Sequence, residues 1–267
     1  MLPTPSTSHL TFQNIYEPSE DTFLFLDALS LPSVISYHTS RFLSGSSPPL
    51  ILETGTGSGV VIAFVAANAT ALFGRNDILT VGTDVNRFAC EGTAKTVSGA
   101  VAAIATSSIT SRDEGEGESQ AHGAGVWLDA LNGSLTTCLR PRSVDVLLFN
   151  PPYVPSEEVP VPQPSDATPI SLSSHDIFMR DSICLALATD GGEDGMEITN
   201  ELLEQLPVVL SERGVAYVLL CAQNRPEEVK ARVRAWEGRG RWKVETVHES
   251  GKQGGWEKLQ IVRIARG

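Results

Sequence analysis

Short apolar runs and apolar stretches of helical spacing alternate along most of the chain. Leu50-Ile51-Leu52 is a compact apolar run stopped by a glycine cluster, which predicts a buried strand. Val60 to Phe73 is apolar nearly all round, as a helix packed against a sheet requires. Ile78 to Gly82 predicts the next strand, ending at Thr83-Asp84, and the Ala-rich stretch from Asn86 to Ile109 predicts a long helix with two glycines in it. Strands follow at Val126-Trp127-Leu128 and at Val144 to Phe149, then helices over Ile177 to Ala188 and Met196 to Leu210. The pattern closes with a strand at Gly214 to Cys221, a helix at Pro226 to Trp236, and strands at Trp242 to His248 and Leu259 to Ile264. Upstream, Ser19 reads as an N-cap, Glu20 and Asp21 suit the positive end of a helix, and Phe23, Leu26 and Leu29 repeat at helical spacing. Alternating strands and helices predict an α/β fold, a mostly parallel, doubly wound sheet in one domain spanning residues 16–267. The segment Glu249 to Trp256 is too short for a parallel crossover, so the seventh strand is expected to close an antiparallel hairpin. Residues 1–15, Pro/Ser-rich at the start, are expected to be a loose N-terminal segment.

Composition narrows this further. The chain has 267 residues, 41% hydrophobic and 19% charged, as ordinary globular proteins do. Lys+Arg 20 against Asp+Glu 32 gives a formal net charge of −12. A chain so acidic repels polyanions on average. The stretch Ser111 to Gly125 holds Asp113, Glu114, Glu116 and Glu118 against Arg112, so it contributes −3 of the −12 and leaves −9 in the body. With almost no apolar surface, it is expected to be a disordered acidic insertion. Cys90, Cys138, Cys184 and Cys221 lie far apart with no C-x-x-C pair, which argues against a zinc site or disulfide framework and suits a reducing compartment. No basic and apolar leader opens the chain, and Val60 to Phe73 is too short and too broken to span a membrane. A cytoplasmic protein, with the nucleus also open to it, is the expectation, and no metal site is expected.

The chemistry concentrates after two strands. Glu53-Thr54-Gly55-Thr56-Gly57-Ser58-Gly59 joins the first strand to a helix, and glycines there let the backbone turn sharply and approach a ligand. The spacing is G-x-G-x-G, without the third glycine of a pyrophosphate-binding G-x-G-x-x-G. An acid two places before such a loop is the pattern of S-adenosylmethionine (SAM) sites, since SAM carries no phosphate and its ammonium and sulfonium favour carboxylates. Asp84 ends the second strand, where it either accepts from both ribose hydroxyls or caps the following helix. Asp129-Ala130 is placed at the end of the third strand, where Asp129 either meets the adenine amino group or is a plain turn aspartate. After the fourth strand comes Asn150-Pro151-Pro152-Tyr153. An amide or aromatic NH2 is a poor nucleophile because its lone pair is delocalised. The Asn150 side-chain oxygen and the Pro151 carbonyl can both accept its hydrogens and so aim that lone pair. The prolines stiffen the loop, and Tyr153 offers a flat face to a planar substrate group.

N-P-P-Y together with E-x-G-x-G-x-G resembles the HemK-type amino-methyltransferases and the adenine-N6 methyltransferases. Tyr16-Glu17-Pro18-Ser19-Glu20-Asp21-Thr22-Phe23 and Gly191-Gly192-Glu193-Asp194-Gly195 resemble the eukaryotic and archaeal branch, the release-factor glutamine methyltransferases. The resemblance covers Tyr16 to Ile264 and implies a class I SAM-dependent methyltransferase with a Rossmann-like seven-stranded sheet. It implies N5-methylation of the glutamine in the GGQ loop of a class I translation termination factor. The implied cofactor contacts are Thr22, Glu53, Gly55, Asp84, Asp129, Ala130 and Asn150, with Gly57 in the same loop, and Asn150, Pro151, Pro152 and Tyr153 hold the glutamine. The resemblance also implies a small zinc-binding activator subunit, forming a heterodimer through the edge of the third strand near Val126, Trp127 and Leu128; an ordinary half-buried edge strand accounts for those residues equally well. Thr54 departs from the family's usual aliphatic residue, and the acidic insertion is unusually long.

Adenine-N6 methylation of DNA or RNA is the alternative that N-P-P-Y chemistry permits, and lysine methylation of histones is another. The −9 body and the lack of a separate basic recognition domain count against a nucleic acid, because base flipping needs anchoring on phosphates. A SAM-fold scaffold without activity fits poorly with an intact N-P-P-Y. The five scattered histidines, His9, His38, His122, His175 and His248, read as surface or satisfied core residues. Trp236, Trp242 and Trp256 read as packing residues, and the basic stretch Lys230 to Arg241 as a solvated helix face.

Overall fold

A computed structural model describes residues 2–113, 123–162, 173–236, 242–251 and 258–267. Among the described residues there are seven strands, β1 (Leu50–Thr54), β2 (Leu79–Asp84), β3 (Val126–Asn132), β4 (Val144–Phe149), β5 (Leu210–Cys221), β6 (Trp242–Glu249) and β7 (Leu259–Arg266). They form one sheet in the order β3-β2-β1-β4-β5-β7-β6. The pairings from β3 through β5 are parallel, and β7 runs antiparallel to both β5 and β6. The doubly wound sheet with an antiparallel hairpin is therefore the observed fold. The helices are α1 (Glu20–Leu29), α2 (Pro32–Arg41), α3 (Val60–Ala67), α4 (Ala69–Phe73), α5 (Arg87–Asp113), α6 (Ser174–Thr189), α7 (Glu197–Val209) and α8 (Pro226–Arg234).

Two apolar layers cover the sheet, and the period of two along the central strands sorts residues between them. Val146 and Leu148 of β4 and Val215, Tyr217 and Leu219 of β5 face α1, α2, α3 and α4. Leu147, Phe149, Ala216, Val218 and Leu220 face α7 and α8. Both faces being covered explains why these strands read as unbroken apolar runs. No helix of the described residues is long and apolar enough to cross a membrane.

Several expectations shift. The single helix expected over Val60 to Phe73 is broken at Asn68, whose side-chain amide donates back to the Phe64 carbonyl at 2.9 Å. The N-terminal segment is not loose from His9 onward. His9 bonds Thr96 at 3.1 Å, Asn86 donates to the Asn14 carbonyl at 2.7 Å, and Ile15 is buried against Gly92 of α5. The insertion begins later than Ser111, because α5 continues to Asp113, and it ends before Gly123, which bonds Thr70, while the Gly125 amide donates to Ala66 at 2.7 Å. Its centre, His122 and Trp256 lie outside the described residues. Trp236 and Trp242 do pack edge to face, with centroids 5.0 Å apart. Lys230 is a correction: it is buried, and its ammonium donates to Thr246 at 2.9 Å and pairs with Glu227. Acceptors on β6 and β7, remote in sequence, pull it off the solvated face.

His38 of α2 is fully enclosed, stacked on Phe73 at 4.5 Å and hydrogen-bonded to the Tyr217 hydroxyl at 2.9 Å. Burial pushes its pKa down to about 3. In the unfolded chain it titrates near 6.5. Below that pH the unfolded chain takes up a proton that the folded ring refuses, so this stabilisation is complete above 6.5 and erodes as pH falls toward about 3. Chemical denaturation between pH 7.5 and 5 should show a loss approaching about 1.4 kcal/mol per pH unit from this residue. The corresponding loss in His38→Gln should be visibly shallower; an unchanged pH slope would exclude His38 as its source.

Candidate active site

β1 ends at Thr54, beside β2 and β4, and the order of the sheet reverses between β1 and β4. Ligands of open α/β sheets bind at the carboxyl ends of strands at such a point. The loop after β1 turns back over β2: the Gly55 amide donates to the Thr83 carbonyl at 2.8 Å, and the Gly57 amide to Asp84 Oδ2 at 2.9 Å. Gly57 holds φ +52 and Gly59 φ +74, in the left-handed region. At Gly59 a Cβ would also lie 2.6 Å from Thr93 Cα, so α5 closes on the loop only where a side chain is missing. Asp84 Oδ1 accepts from the Asn86 amide at 2.8 Å. The carboxylate thus braces the loop and caps the turn into α5, the second of its two expected roles, while still lining the cavity.

Glu53 is buried beneath the loop, and its Oε2 accepts from the Ile62 amide at 2.8 Å, in the first turn of α3. Helix N-termini leave such amides without partners, and a carboxylate there also meets the positive end of the helix dipole. Burial still dominates: it pushes the Glu53 pKa well above the ordinary carboxylate range, against the lowering effect of the Ile62 amide, and nearby Asp84 adds to the rise. Burial likewise raises Asp84, opposed by the Gly57 and Asn86 amides and the Thr56 hydroxyl.

On the other side of the switch point, β4 delivers Asn150 and the two prolines. The Asn150 side-chain amide donates to Asp21 Oδ2 at 3.0 Å. Asp21 is itself fixed by Ser19 at 2.9 Å, by the Thr22 amide at 2.7 Å and by the Tyr16 hydroxyl at 3.3 Å. With its nitrogen committed to a carboxylate, Asn150 keeps Oδ1 free as an acceptor, and that atom is buried without a partner. Such an atom costs stability unless something else uses it.

A cavity of about 320 Å³ joins the two halves. Thr22, Glu53, Gly55, Gly57 and Asp84 line it from the loop side, and Asn150, Pro151 and Pro152 from the other. Three expected residues lie elsewhere. Tyr153 is absent from the wall and packs against the core beneath. Asp129 and Ala130 do not line it either: β3 continues to Asn132, with a register shift against β2 between Thr80 and Gly82, so Asp129 sits exposed within the strand. The wall at that end is Gly133, Ser134 and Leu135, and no carboxylate of β3 reaches the cavity. Trp127 packs inward, so among the expected edge residues Val126 and Leu128 face outward.

No family model matches the chain. Among curated proteins, it is 29% identical over 228 residues to the eRF1 methyltransferase catalytic subunit mtq2 of Schizosaccharomyces pombe, across 84% of this chain and 81% of that protein. It is 30% identical over 273 residues to Methyltransferase HEMK2 of Mus musculus, across 99% of this chain and 97% of that protein. The chain belongs to the HEMK2 methyltransferase family. The human HEMK2 methyltransferase is 29% identical to it over 268 residues, across 98% of this chain and 96% of that protein. A solved magnesium protoporphyrin IX methyltransferase from Synechocystis covers 96% of this chain and 88% of its own, with 10% identity and a TM-score of 0.41, too loose a likeness to argue from.

In this HEMK2-family chain, Asp21 is the residue that sequence reasoning missed. It reads locally as a helix-dipole acid, yet Ser19 makes no side-chain cap, and Asp21 turns instead to Asn150, 129 residues away. The donor set also suits SAM. Two buried carboxylates whose hydrogen bonds come from backbone amides and a hydroxyl favour a cationic ligand and disfavour a phosphate. Glu53, Asp84 and Thr22 would hold it, with Asn150 beside its reacting end. Because burial raises both carboxyls in the free protein, a cation in the cavity must shift them toward the ionised form. SAM affinity should therefore increase as pH rises above the ordinary carboxylate range, with protons released on binding. Calorimetry in two buffers of different ionisation enthalpy checks this; binding without proton release would remove the two carboxyls as the linked groups.

Proposed function

We propose that this chain uses SAM to methylate the side-chain nitrogen of the glutamine in the GGQ loop of a class I translation termination factor. The observation that carries the reading is Asn150, which lines the cavity: its nitrogen is tied to Asp21, and its Oδ1 is buried without a hydrogen-bond partner. A glutamine NH2 has two hydrogens to place. Asn150 Oδ1 accepts one and the Pro151 carbonyl the other, which orients the nitrogen. Methyl transfer would break the sulfonium C–S bond, leave a neutral thioether, and release one of the two amide protons to water by way of these acceptors. SAM, when bound, supplies an electrophilic methyl group on a sulfonium. The apolar wall, including Phe149, Val60 and Leu135, keeps water from competing for it. The S. pombe relative is named an eRF1 methyltransferase, which supports the substrate class. Adenine-N6 methylation gains nothing from the geometry: among the described residues that line the cavity there is no lysine or arginine to meet a polyanion.

Labelled SAM should transfer its methyl to a GGQ-bearing release factor, and Gln→Arg in that motif should abolish labelling. An adenine-containing duplex run in parallel should stay unlabelled; persistent label elsewhere would overturn the substrate assignment. Asn150→Ala should keep SAM affinity within about threefold while lowering turnover by about 100-fold or more.

The same reading includes an activator subunit at β3. The S. pombe relative is named a catalytic subunit, and β3 is the outer strand of the parallel half of the sheet. Val126 and Leu128 are 48% and 51% exposed on one face of that edge, where strand addition would cover them. Leu128→Lys should weaken binding of the purified zinc-binding activator at least about tenfold, because a charge would be carried into the covered face. Equal binding by the variant would place the activator elsewhere.

A further inference from the structure

The loop that carries Asn150 is held from behind by residues outside N-P-P-Y. Beyond Tyr153 the chain runs beside the end of α6, with a single parallel bridge between Val154 and Asp190. The Val154 amide donates to the Thr189 carbonyl at 3.0 Å, the Gly191 amide to the Val154 carbonyl at 2.8 Å, and the Ser156 amide to the Gly192 carbonyl at 3.0 Å. The Gly191–Gly195 segment presses directly on the loop. A Cβ at Gly191 would strike the Pro152 carbonyl, and one at Gly195, which holds φ +67, would strike the Tyr153 carbonyl.

Asn224 sits where these pieces meet. It ends the short turn Ala222–Asn224 after β5 and is 2% exposed. Its Oδ1 accepts from the Cys221 amide at 2.8 Å, which directs its NH2 the other way. That one nitrogen donates to the Asp194 carbonyl at 3.0 Å and to the Tyr153 and Gly195 carbonyls at 3.3 Å each. Three carbonyl oxygens converging on one buried point repel one another unless a donor stands between them. We propose that Asn224 is the positioning residue of the Asn150–Tyr153 turn. It gathers the Tyr153 carbonyl, the glycine turn and the end of β5 into one joint, and so sets where Asn150 and the Pro151 carbonyl meet the substrate nitrogen. It touches neither substrate nor cofactor. A displacement of about 1 Å in such a turn is enough to cost about 100-fold in rate.

The kinetic consequence rests on the methyl-transfer reading above, whereas the structural consequence does not. Asn224→Asp is nearly isosteric and keeps the acceptor for the Cys221 amide, but it sets a second oxygen against three carbonyls. Surrounded in this way, the new carboxyl titrates upward, and its protonated form regains one donor. Hydrogen exchange on the full-length chain at pH 8 should show the amides of Val154, Ser156 and Gly191 exchanging at least about tenfold faster in Asn224→Asp than in the parent. Under the same conditions kcat on the release factor should fall about 100-fold, with KM and SAM affinity within about threefold. The ratio of variant to parent kcat should climb as pH is lowered toward 6, and Asn224→Ala should lose rate without that pH recovery. Unchanged exchange at the three amides, a loss confined to SAM affinity, or a pH-independent kcat ratio in Asn224→Asp overturns the proposal. Should the Asn224 variants not fold, Gly195→Ala decides by setting a Cβ against both the Tyr153 carbonyl and the Asn224 amide: the same selective fall in kcat supports the joint, and an unchanged kcat overturns it. A parent protein that labels no release factor fails the functional reading alone, because the exchange measurement still judges Asn224.

Discussion

Asp84 accepts two backbone amides at once, Gly57 at 2.9 Å and Asn86 at 2.8 Å, and both come from segments that would otherwise leave β1 and β2 in separate directions. A carboxylate at the covered end of a strand is costly without such donors, so the loop after β1 has to fold back across β2. Folding back requires the left-handed residues at Gly57 and Gly59, and the missing Cβ at Gly59 then lets α5 close within van der Waals contact. The same backtracking opens the space above β1 and β4 and turns Glu53 under the first turn of α3. One satisfied carboxylate thus fixes the loop, the approach of a helix and the floor of the cavity together.

The opposite wall is governed by a polar atom left over. Asn150 places its nitrogen on Asp21 and keeps a buried oxygen unpaired, and the chain bears the cost of that atom in the free state. The prolines alone do not hold it there. Proline removes donors and fixes φ, but it cannot prevent the whole turn from shifting as a unit. That rigidity has to come from carbonyls gripped from behind, which is what the Gly191–Gly195 segment and the Asn224 amide provide. Asp21 on α1 grips the Asn150 side chain and Asn224 after β5 the Tyr153 carbonyl, so the turn depends on residues far from it in sequence on both sides.

What the sequence makes legible is what local spacing controls. Apolar runs punctuated by glycines, and an N-P-P-Y after the fourth run, place the strands and the two loops of the site correctly. Apart from the break at Asn68, which a bond to the Phe64 carbonyl four residues back makes, the missed features depend on partners distant in sequence. Asp129 falls within β3 because the pairing of β3 with β2, bulged between Thr80 and Gly82, carries the strand on to Asn132. Lys230 has the helical spacing of a surface residue, and only the arrival of Thr246 and Gln260 on β6 and β7 makes its burial affordable. Asp21 and Asn224 carry no local mark, since an acid in a first helical turn and an asparagine in a tight turn are ordinary. Residues 9–15 look featureless until Gly92 gives Leu10 and Ile15 a groove on α5.

The formal charge of −12 has to be read in the same two parts, local and global. Glu53 and Asp84 count fully in that sum, yet burial raises both carboxyls, so in the free protein they retain protons more readily than exposed acids do. Their task is local: a cation in the cavity restores their charge, and a phosphate there would meet two carboxylates. The exposed acids act at longer range, and their field falls on the carrier of the reacting group more than on the group itself. A glutamine amide and an adenine amino group are both neutral, and N-P-P-Y treats them alike. The polyphosphate backbone that delivers an adenine is what an acidic body repels. On the proposed reading, then, Asn150 and its supports select the nitrogen, while the charge of the body selects what that nitrogen is attached to.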